Sequence, residues 1–150
     1  MKRTLPLLFL AACSAAPEQG TEGRNRWADE ALWNVLQAQD RRDVGALCQA
    51  LDHADAEVRR TAALSFASVQ DKAGIPCLTS SLDDAEPQVR AAAVFSLGLV
   101  ADTALVVDLA DRAVLEPDTS VQRAYLQASF RAMVRNGMLR DPNAILYYLD

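Results

Sequence analysis

Few side chains in this chain of 150 residues could act as nucleophiles, general bases or metal ligands. His53 is the only histidine, and it lies in a polar turn between apolar helical patterns, where a solvated side chain is the ordinary interpretation. The cysteines and carboxylates do not show the spacing of a zinc site. The sequence also has no glycine-rich phosphate loop and no nucleophile motif. We therefore predict a protein that is not an enzyme, with no catalytic residues, no metal and no cofactor.

The first cysteine ends a segment with the features of a secretory signal. Two basic residues precede an apolar run over residues 4–10, and two alanines follow that run. The run is too short to span a bilayer, which takes about 20 apolar residues. The tetrapeptide Leu-Ala-Ala-Cys at residues 10–13 resembles the lipobox of bacterial lipoproteins. This resemblance implies a signal peptide over residues 1–12 and a lipid on Cys13, whereas an ordinary secretory signal with an incidental cysteine is the alternative.

The same resemblance implies a location in the bacterial cell envelope. Ser14 follows the cysteine, and under the enteric sorting rule a serine there favours the outer membrane. Residues 13–25 contain the lipidated cysteine and a polar segment with glycine and proline, which predicts a flexible tether of roughly 20 Å. The folded domain would then cover residues 26–150, in the periplasm or at the cell surface.

The charge balance excludes some partners. The formal net charge is −5, and losing the two positive charges of Lys2 and Arg3 with the signal changes it to −7. An acidic domain is repelled by nucleic acid and by anionic lipid head groups. We therefore expect no nucleic-acid partner, and we expect the lipid rather than the protein surface to contact the membrane.

The elements that position these residues are repeated along the chain. The segment over residues 51–63 is repeated in similar form over residues 82–93, and a less similar copy follows at residues 117–126. The offset is 31 residues and then about 32. A fixed period in this range is typical of stacked units rather than of one closed globule.

Each unit has two apolar patterns with the three- and four-residue spacing of helices, separated by a polar turn. An acidic residue stands three residues before a valine at the start of each second pattern, which suits a helix N-cap. These acids are Asp55, Glu86 and Asp118. Adjacent alanines in the second pattern favour helix and let neighbouring helices approach closely. The sequence therefore predicts helical hairpins that are stable only when stacked.

The pattern Asp-x-x-Val-Arg-x-x-Ala at residues 55–62 resembles a HEAT repeat, and its short period is similar to the HEAT-like repeats of phycobilin lyases. The second copy matches with Glu86 and Arg90, and the third has Gln122 in place of the arginine. Trp27–Gln39 is similar to the second helix of a leading half-repeat, so the resemblance covers roughly residues 26–136. It implies an all-α fold, a right-handed α-α superhelix of three to four hairpins. In that family the acid and the arginine commonly link adjacent repeats, which implies a structural ladder of Asp55, Arg59, Glu86, Arg90 and Asp118.

Two cysteines lie beside the apolar stripes of the first helices. The 31-residue offset places Cys77 at the equivalent of position 46, two residues from Cys48. Two residues are about 200° apart around a helix, so the thiols flank opposite sides of equivalent stripes and could meet between neighbouring helices. A disulfide between them is one prediction, and two small buried apolar side chains are the alternative.

A scaffold that binds another envelope protein or peptide is the leading functional hypothesis, and it is made by analogy with the fold. Helical phase places polar side chains of the second helices on the binding surface. They are Arg60, Ser65, Ser68, Ser96, Arg123, Gln127 and Arg131. A self-associating structural subunit and a lyase-like enzyme or its accessory subunit are the alternatives.

Both ends of the domain carry apolar residues. Trp27 and Trp33 share a leading helix, and we interpret them as a partly buried end-cap rather than a ligand platform. Pro142 suits the first turn of a last helix, whose apolar residues run to Leu149. A solenoid normally ends in a polar cap. This helix therefore indicates a truncated array or an interface, including self-association, more than a fold-back of Tyr147 and Tyr148.

Overall fold

A computed structural model of the chain describes residues 29–138. Within that range the structure has seven α-helices and no strand, and the predicted all-α solenoid is confirmed. The helices are α1 (Glu30–Arg41), α2 (Val44–Ala50), α3 (Ala56–Val69), α4 (Ile75–Ser80), α5 (Pro87–Val100), α6 (Thr103–Leu115) and α7 (Thr119–Arg135). Short 3-10 turns at Lys72–Gly74 and Ser81–Asp83 flank α4. None of the helices in residues 29–138 is long and apolar enough to cross a membrane.

Several predictions concern the chain ends that lie outside the described residues. These are the signal peptide over residues 1–12, the lipid on Cys13, the tether up to residue 25, Trp27, and the apolar helix near the carboxyl terminus. They stay predictions from the sequence.

The helices form two layers. The helices α1, α3, α5 and α7, which we call the long helices, pack side by side in chain order, and the helices α2, α4 and α6 form the second layer. Each helix of the second layer packs against the long helix that follows it in the chain. The pairs α2/α3, α4/α5 and α6/α7 are therefore three hairpins, and α1 is the leading half-repeat that the period predicts.

Acidic residues start the long helices. Asp55 and Asp118 are N-caps whose carboxylates accept hydrogen bonds from the backbone N–H groups of Glu57 and Val121, at 2.8 and 3.1 Å. Such a bond satisfies one of the amides left without an intrahelical partner. Glu86 is the N-cap of α5 without a side-chain cap bond, and Pro87 occupies the first turn, where its missing N–H costs nothing.

The core lies between the layers and between neighbouring long helices. Its side chains recur with the period of the sequence, and they include Leu47, Leu78, Leu109, Val58, Val89 and Val121. Small residues set how closely α5 and α7 approach, because a Cβ added to Gly98 would lie 2.7 Å from the Cβ of Ala128. The stacking of repeats is thus specified by the same periodic positions that form each hairpin.

Candidate protein-interaction surface

The long helices leave one side uncovered, opposite the layer of α2, α4 and α6, and we call it the long-helix face. Trp33, Leu64 and Phe95 lie on this face at intervals of 31 residues, one on each of α1, α3 and α5. Their exposed fractions are 40%, 37% and 40%. Because equivalent residues of adjacent repeats lie side by side, these three side chains form an apolar row across the helices.

Polar residues predicted for the binding surface border this apolar row. Ser68 is exposed and accepts a hydrogen bond from Gln39 Nε2 at 3.5 Å. Arg123 and Gln127 are exposed on α7, with Gln127 at the position equivalent to Phe95. The guanidinium carbon of Arg131 lies 5.0 Å from the centroid of the Phe95 ring, which is the geometry of a cation–π contact.

Arg60 is the remaining candidate; its side chain is half-buried, and its charge is already used within its own helix. It binds Glu57 with both Nε and Nη2 at 2.8 Å. The hydrogen bond to Glu57 is the largest cause of the raised pKa of Arg60. Because Arg60 is paired with Glu57, its charge is less available to a partner than its position on the helix suggests.

The prediction for Ser65 and Ser96 was wrong, because both side chains are buried, with exposed fractions of 2% and 0%. Ser65 donates to the carbonyl oxygen of Thr61 at 2.9 Å within α3. Ser96 donates to the carbonyl oxygen of Ala63 at 2.6 Å and so joins α5 to α3. A small hydroxyl can bond a backbone carbonyl at a helix contact, so its polarity does not show that it faces solvent.

Sequence reasoning missed the apolar row. The predicted binding surface contains neither Leu64 nor Phe95, and Trp33 is predicted to be an end-cap. The signal was present, since the three residues stand 31 apart and each follows a buried position by one residue. An apolar side chain repeated at a position that the helical phase directs away from the core indicates a surface row.

Two arginines join consecutive repeats. Arg59 forms two hydrogen bonds to the carboxylate of Asp84, at 2.7 and 3.0 Å. Arg90 forms the same paired bonds to Glu116, at 3.0 and 2.7 Å. These bonds hold the pKa of Asp84 and that of Glu116 below their ordinary values, with the arginine hydrogen bond as the largest cause in each case.

The acids of this ladder are not the ones predicted. Asp84 and Glu116 stand two residues before Glu86 and Asp118, which were assigned to the ladder from the HEAT resemblance. The carboxylate of Asp118 instead accepts bonds from Ser120 and Val121 of its own helix, and the side-chain bond from Ser120 is the largest cause of its lowered pKa. The helix thus occupies the N-cap acid Asp118, whereas Glu86 makes no cap bond and Arg59 still binds Asp84, so both arginines bind the acid two residues before the N-cap.

Comparison with protein families decides the identity of the array. Residues 44–129, more than half of the chain, match the family of HEAT repeats. The chain belongs to the HEAT-repeat family. The match runs from α2 into α7 and covers all three hairpins. No curated protein matches the chain significantly.

In this HEAT-repeat array the second layer is cross-linked. Cys48 on α2 and Cys77 on α4 form a disulfide with a Cα–Cα distance of 5.7 Å. The bond borders an open groove that Ser80 and Asp84 also line, so solvent reaches it. The side-by-side placement of the two cysteines follows from the 31-residue offset of the HEAT repeats.

The structure brings no residues together as a metal or acid–base site within the part of the chain that it describes. No group of three or more histidine, cysteine or acidic residues in residues 29–138 could hold a metal ion. His53 is exposed in the turn before α3, where its Nδ1 accepts a hydrogen bond from the backbone N–H of Asp55 at 3.0 Å. This bond gives His53 a role in the turn that leads into the helix.

Proposed function

We propose that this HEAT-repeat protein is a scaffold that binds another protein or peptide of the bacterial cell envelope through its long-helix face. A lipid on Cys13 would hold the array close to a membrane. The apolar row is the observation that carries the proposal, and the lipobox-like sequence at residues 10–13 supports the location.

The apolar row has the composition of a binding surface. Aromatic residues are enriched where proteins contact each other, and a partner that covers them releases water from a large apolar area. A single exposed apolar side chain needs no explanation. Three at the same position of successive repeats lie in line on one face, which a partner can cover together.

The test of this proposal is cross-linking of the lipidated protein in cells, followed by identification of the cross-linked proteins. We expect one stoichiometric envelope protein with the wild type and its loss with the double variant Leu64→Glu/Phe95→Glu. Ala104→Glu is the control, because Ala104 is exposed on α6, in the layer opposite the long-helix face. Retention of the same protein by the double variant would overturn the proposal for this face.

The anchoring part of the proposal has its own test. Cys13→Ser removes the only sulfur that a lipobox at residues 10–13 could offer for lipidation. We expect the wild type in the membrane fraction of a bacterial host and the variant in the soluble envelope fraction. An unchanged distribution would show that Cys13 is not the anchor.

Self-association is a second candidate, favoured by the exposed end of the described array. Leu32, Ala63 and Val94 occupy one position of successive repeats and are fully buried, whereas the equivalent Leu126 on α7 is 56% exposed. Val107 and Val114 on α6 and Val134 on α7 are also exposed. Light scattering at increasing protein concentration tests this candidate, and a dimer that Leu126→Glu abolishes would support it.

A lyase-like enzyme is not favoured by any observation in the described residues. Such a reaction would need a thiol or another nucleophile on an accessible surface. Cys48 and Cys77 are joined to each other, which leaves neither as a free thiol in the described array.

A further inference from the structure

We propose that the segment bound by the long-helix face is acidic, with carboxylates against Arg123 and Arg131 and an apolar side chain against Phe95. This inference rests on the proposed function and names the chemistry of the partner. It is carried by the distribution of charge over the long helices, by the pairing of their arginines, and by the surroundings of Arg131.

The long helices α5 and α7 differ in charge from the rest of the chain. Residues 87–100 and 119–135 contain no aspartate or glutamate, although the chain as a whole has 20 acidic and 15 basic residues. Their charged residues are Arg90, Arg123, Arg131 and Arg135. The acids near them lie elsewhere, in the turns before these helices and on α6 in the other layer. The end of the long-helix face formed by α5 and α7 is therefore basic on an acidic protein.

Two of these four arginines are used by the fold. Arg90 is paired with Glu116. Arg135 donates from α7 to the backbone carbonyl oxygens of Gly98, Leu99 and Ala101 at the end of α5. These bonds satisfy carbonyl groups that a helix end leaves without partners, so Arg135 has a structural role.

Arg123 and Arg131 have no such carboxylate partner. Among residues 29–138, the ion pairs of the structure do not include either of them. Arg131 rests on the Phe95 ring, and its Nη1 is buried without a hydrogen-bond acceptor in the described part of the chain. Leaving such a donor unsatisfied is costly, and a carboxylate toward which the guanidinium turned would supply the missing acceptor.

The spacing of the two arginines sets the spacing of the carboxylates. They are eight residues apart on α7, which is about 12 Å along the helix axis and places them on one side of it. Gln127 lies between them at the position where the apolar row reaches α7. An extended chain covers that distance in roughly four residues. The surface thus fits a short segment with two acids about four residues apart and an apolar residue that reaches Phe95.

Selection from a random library of displayed 12-residue peptides tests this inference. The target is the full-length chain with Cys13→Ser, which removes the lipidation site. We expect the enriched peptides to combine aspartate or glutamate with aromatic or aliphatic residues. One enriched peptide is then labelled and titrated by fluorescence anisotropy against the wild type and its variants.

We expect Arg123→Gln/Arg131→Gln to weaken binding of that peptide at least tenfold, and replacement of its acids by amides to do the same. Raising the salt concentration should weaken wild-type binding and affect the double variant little. Arg41→Gln is the charge-matched control, because Arg41 is exposed on α1 at the other end of the array. Circular dichroism of each variant verifies that the helices are intact.

The outcomes separate the inference from the proposed function. Enriched peptides that lack acids, or that bind the arginine variants as tightly as the wild type, would overturn the inference. If these peptides still fail to bind Leu64→Ser/Phe95→Ser, the long-helix face remains the binding surface. If no peptide distinguishes the wild type from Leu64→Ser/Phe95→Ser, both the inference and the proposed function are overturned.

Discussion

Arg59 and Arg90 each hold three segments together. Besides its carboxylate partner in the next repeat, Arg59 Nη1 donates to the carbonyl oxygens of His53 and Ala54 in the turn of its own repeat, at 2.9 and 3.0 Å. Arg90 Nη1 makes the equivalent bonds to Asp84 and Ala85, at 2.8 and 3.2 Å. The planar guanidinium provides all these donors in one fixed arrangement, which an ammonium group cannot do.

Replacement of Arg90 by lysine should therefore destabilise the protein although the charge is kept. We expect Arg90→Lys to lower the free energy of unfolding by about 2 kcal/mol, because a partly buried carboxylate and two carbonyl groups lose bonds. Urea unfolding followed by circular dichroism measures the change. Arg123→Lys is the control, and it should alter stability by less than about 0.5 kcal/mol at its exposed position. Equal effects at the two positions would contradict this role of Arg90.

The sequence identified the right arginines and the wrong acids for a local reason. Arg59 and Arg90 stand at a fixed position after the N-cap, so the repeat pattern alone marks them. Several acids are close together before each cap, and the arginine binds the one whose carboxylate the turn places within its reach. That choice is made by turn geometry, which the order of residues does not reveal.

The stacking of elements depends on how closely α5 and α7 approach at Gly98. A methyl group there would lie within 3.0 Å of the Ala128 backbone, so the helices would have to separate. We expect Gly98→Ala to lower the free energy of unfolding by about 1–3 kcal/mol, against the usual benefit of alanine in a helix.

Gly45→Ala is the matched control for this prediction. Gly45 is also helical, and the nearest atom to an added Cβ is Asp43 Oδ1 at 3.5 Å, an ordinary contact. Here alanine should be neutral or should stabilise by about 0.5–1 kcal/mol. Thermal unfolding of the two variants tests the comparison. A stabilised Gly98→Ala variant would show that the contact between α5 and α7 has room for a methyl group at residue 98.

Within the second layer, α2 and α4 are joined by a covalent bond rather than by extensive packing against each other. The disulfide links α2 to α4 across 29 residues of sequence. In the chain-entropy account a loop of this size contributes about 3 kcal/mol to stability. We expect a reducing agent to lower the free energy of unfolding by about 2–4 kcal/mol. Cys48→Ser/Cys77→Ser should start from the lower stability and show no response to the reductant, whereas a reductant-sensitive double variant would refute the assignment.

Much of the fold, and less of the candidate site, is predictable from sequence. The N-caps, the hairpins and the leading half-repeat follow from periodic acids and apolar residues, which report local helix formation. The burial of Ser65 and Ser96 depends on neighbouring helices, so a single helix pattern places them on the surface. The exposure of Phe95 is hard to predict for the opposite reason, because an apolar residue is assigned to the core by default.

For the molecule as a whole, the inter-repeat pairs make stability depend on acid pH. The folded-state pKa values of Asp84 and Glu116 are lowered by their arginines, so the folded protein binds fewer protons than the unfolded chain in acid. Their contribution is complete above the unfolded-state pKa values of about 4, and it is lost as pH falls through the folded-state values. We expect the free energy of unfolding to fall steadily below about pH 5.

Urea unfolding at a series of pH values measures this dependence. The variant Asp84→Asn/Glu116→Gln cannot take up these two protons as pH falls, so its stability should be lower near neutral pH and should fall less steeply in acid. Parallel pH profiles for the variant and the wild type would show that other carboxylates control the loss of stability at low pH.

The apolar row also determines the spacing of the ligand side chains that could bind it. Packed helices lie about 8–10 Å apart, and Trp33, Leu64 and Phe95 occupy one position on three adjacent helices. A strand-like ligand advances about 3.3 Å with each residue. Where a longer bound chain leaves α7 and crosses the other helices at right angles, every third side chain would meet the next member of the row. The spacing of the helices would then select ligands by the spacing of their side chains. A matching ligand would have an apolar side chain at every third residue, a period set by the width of a helix.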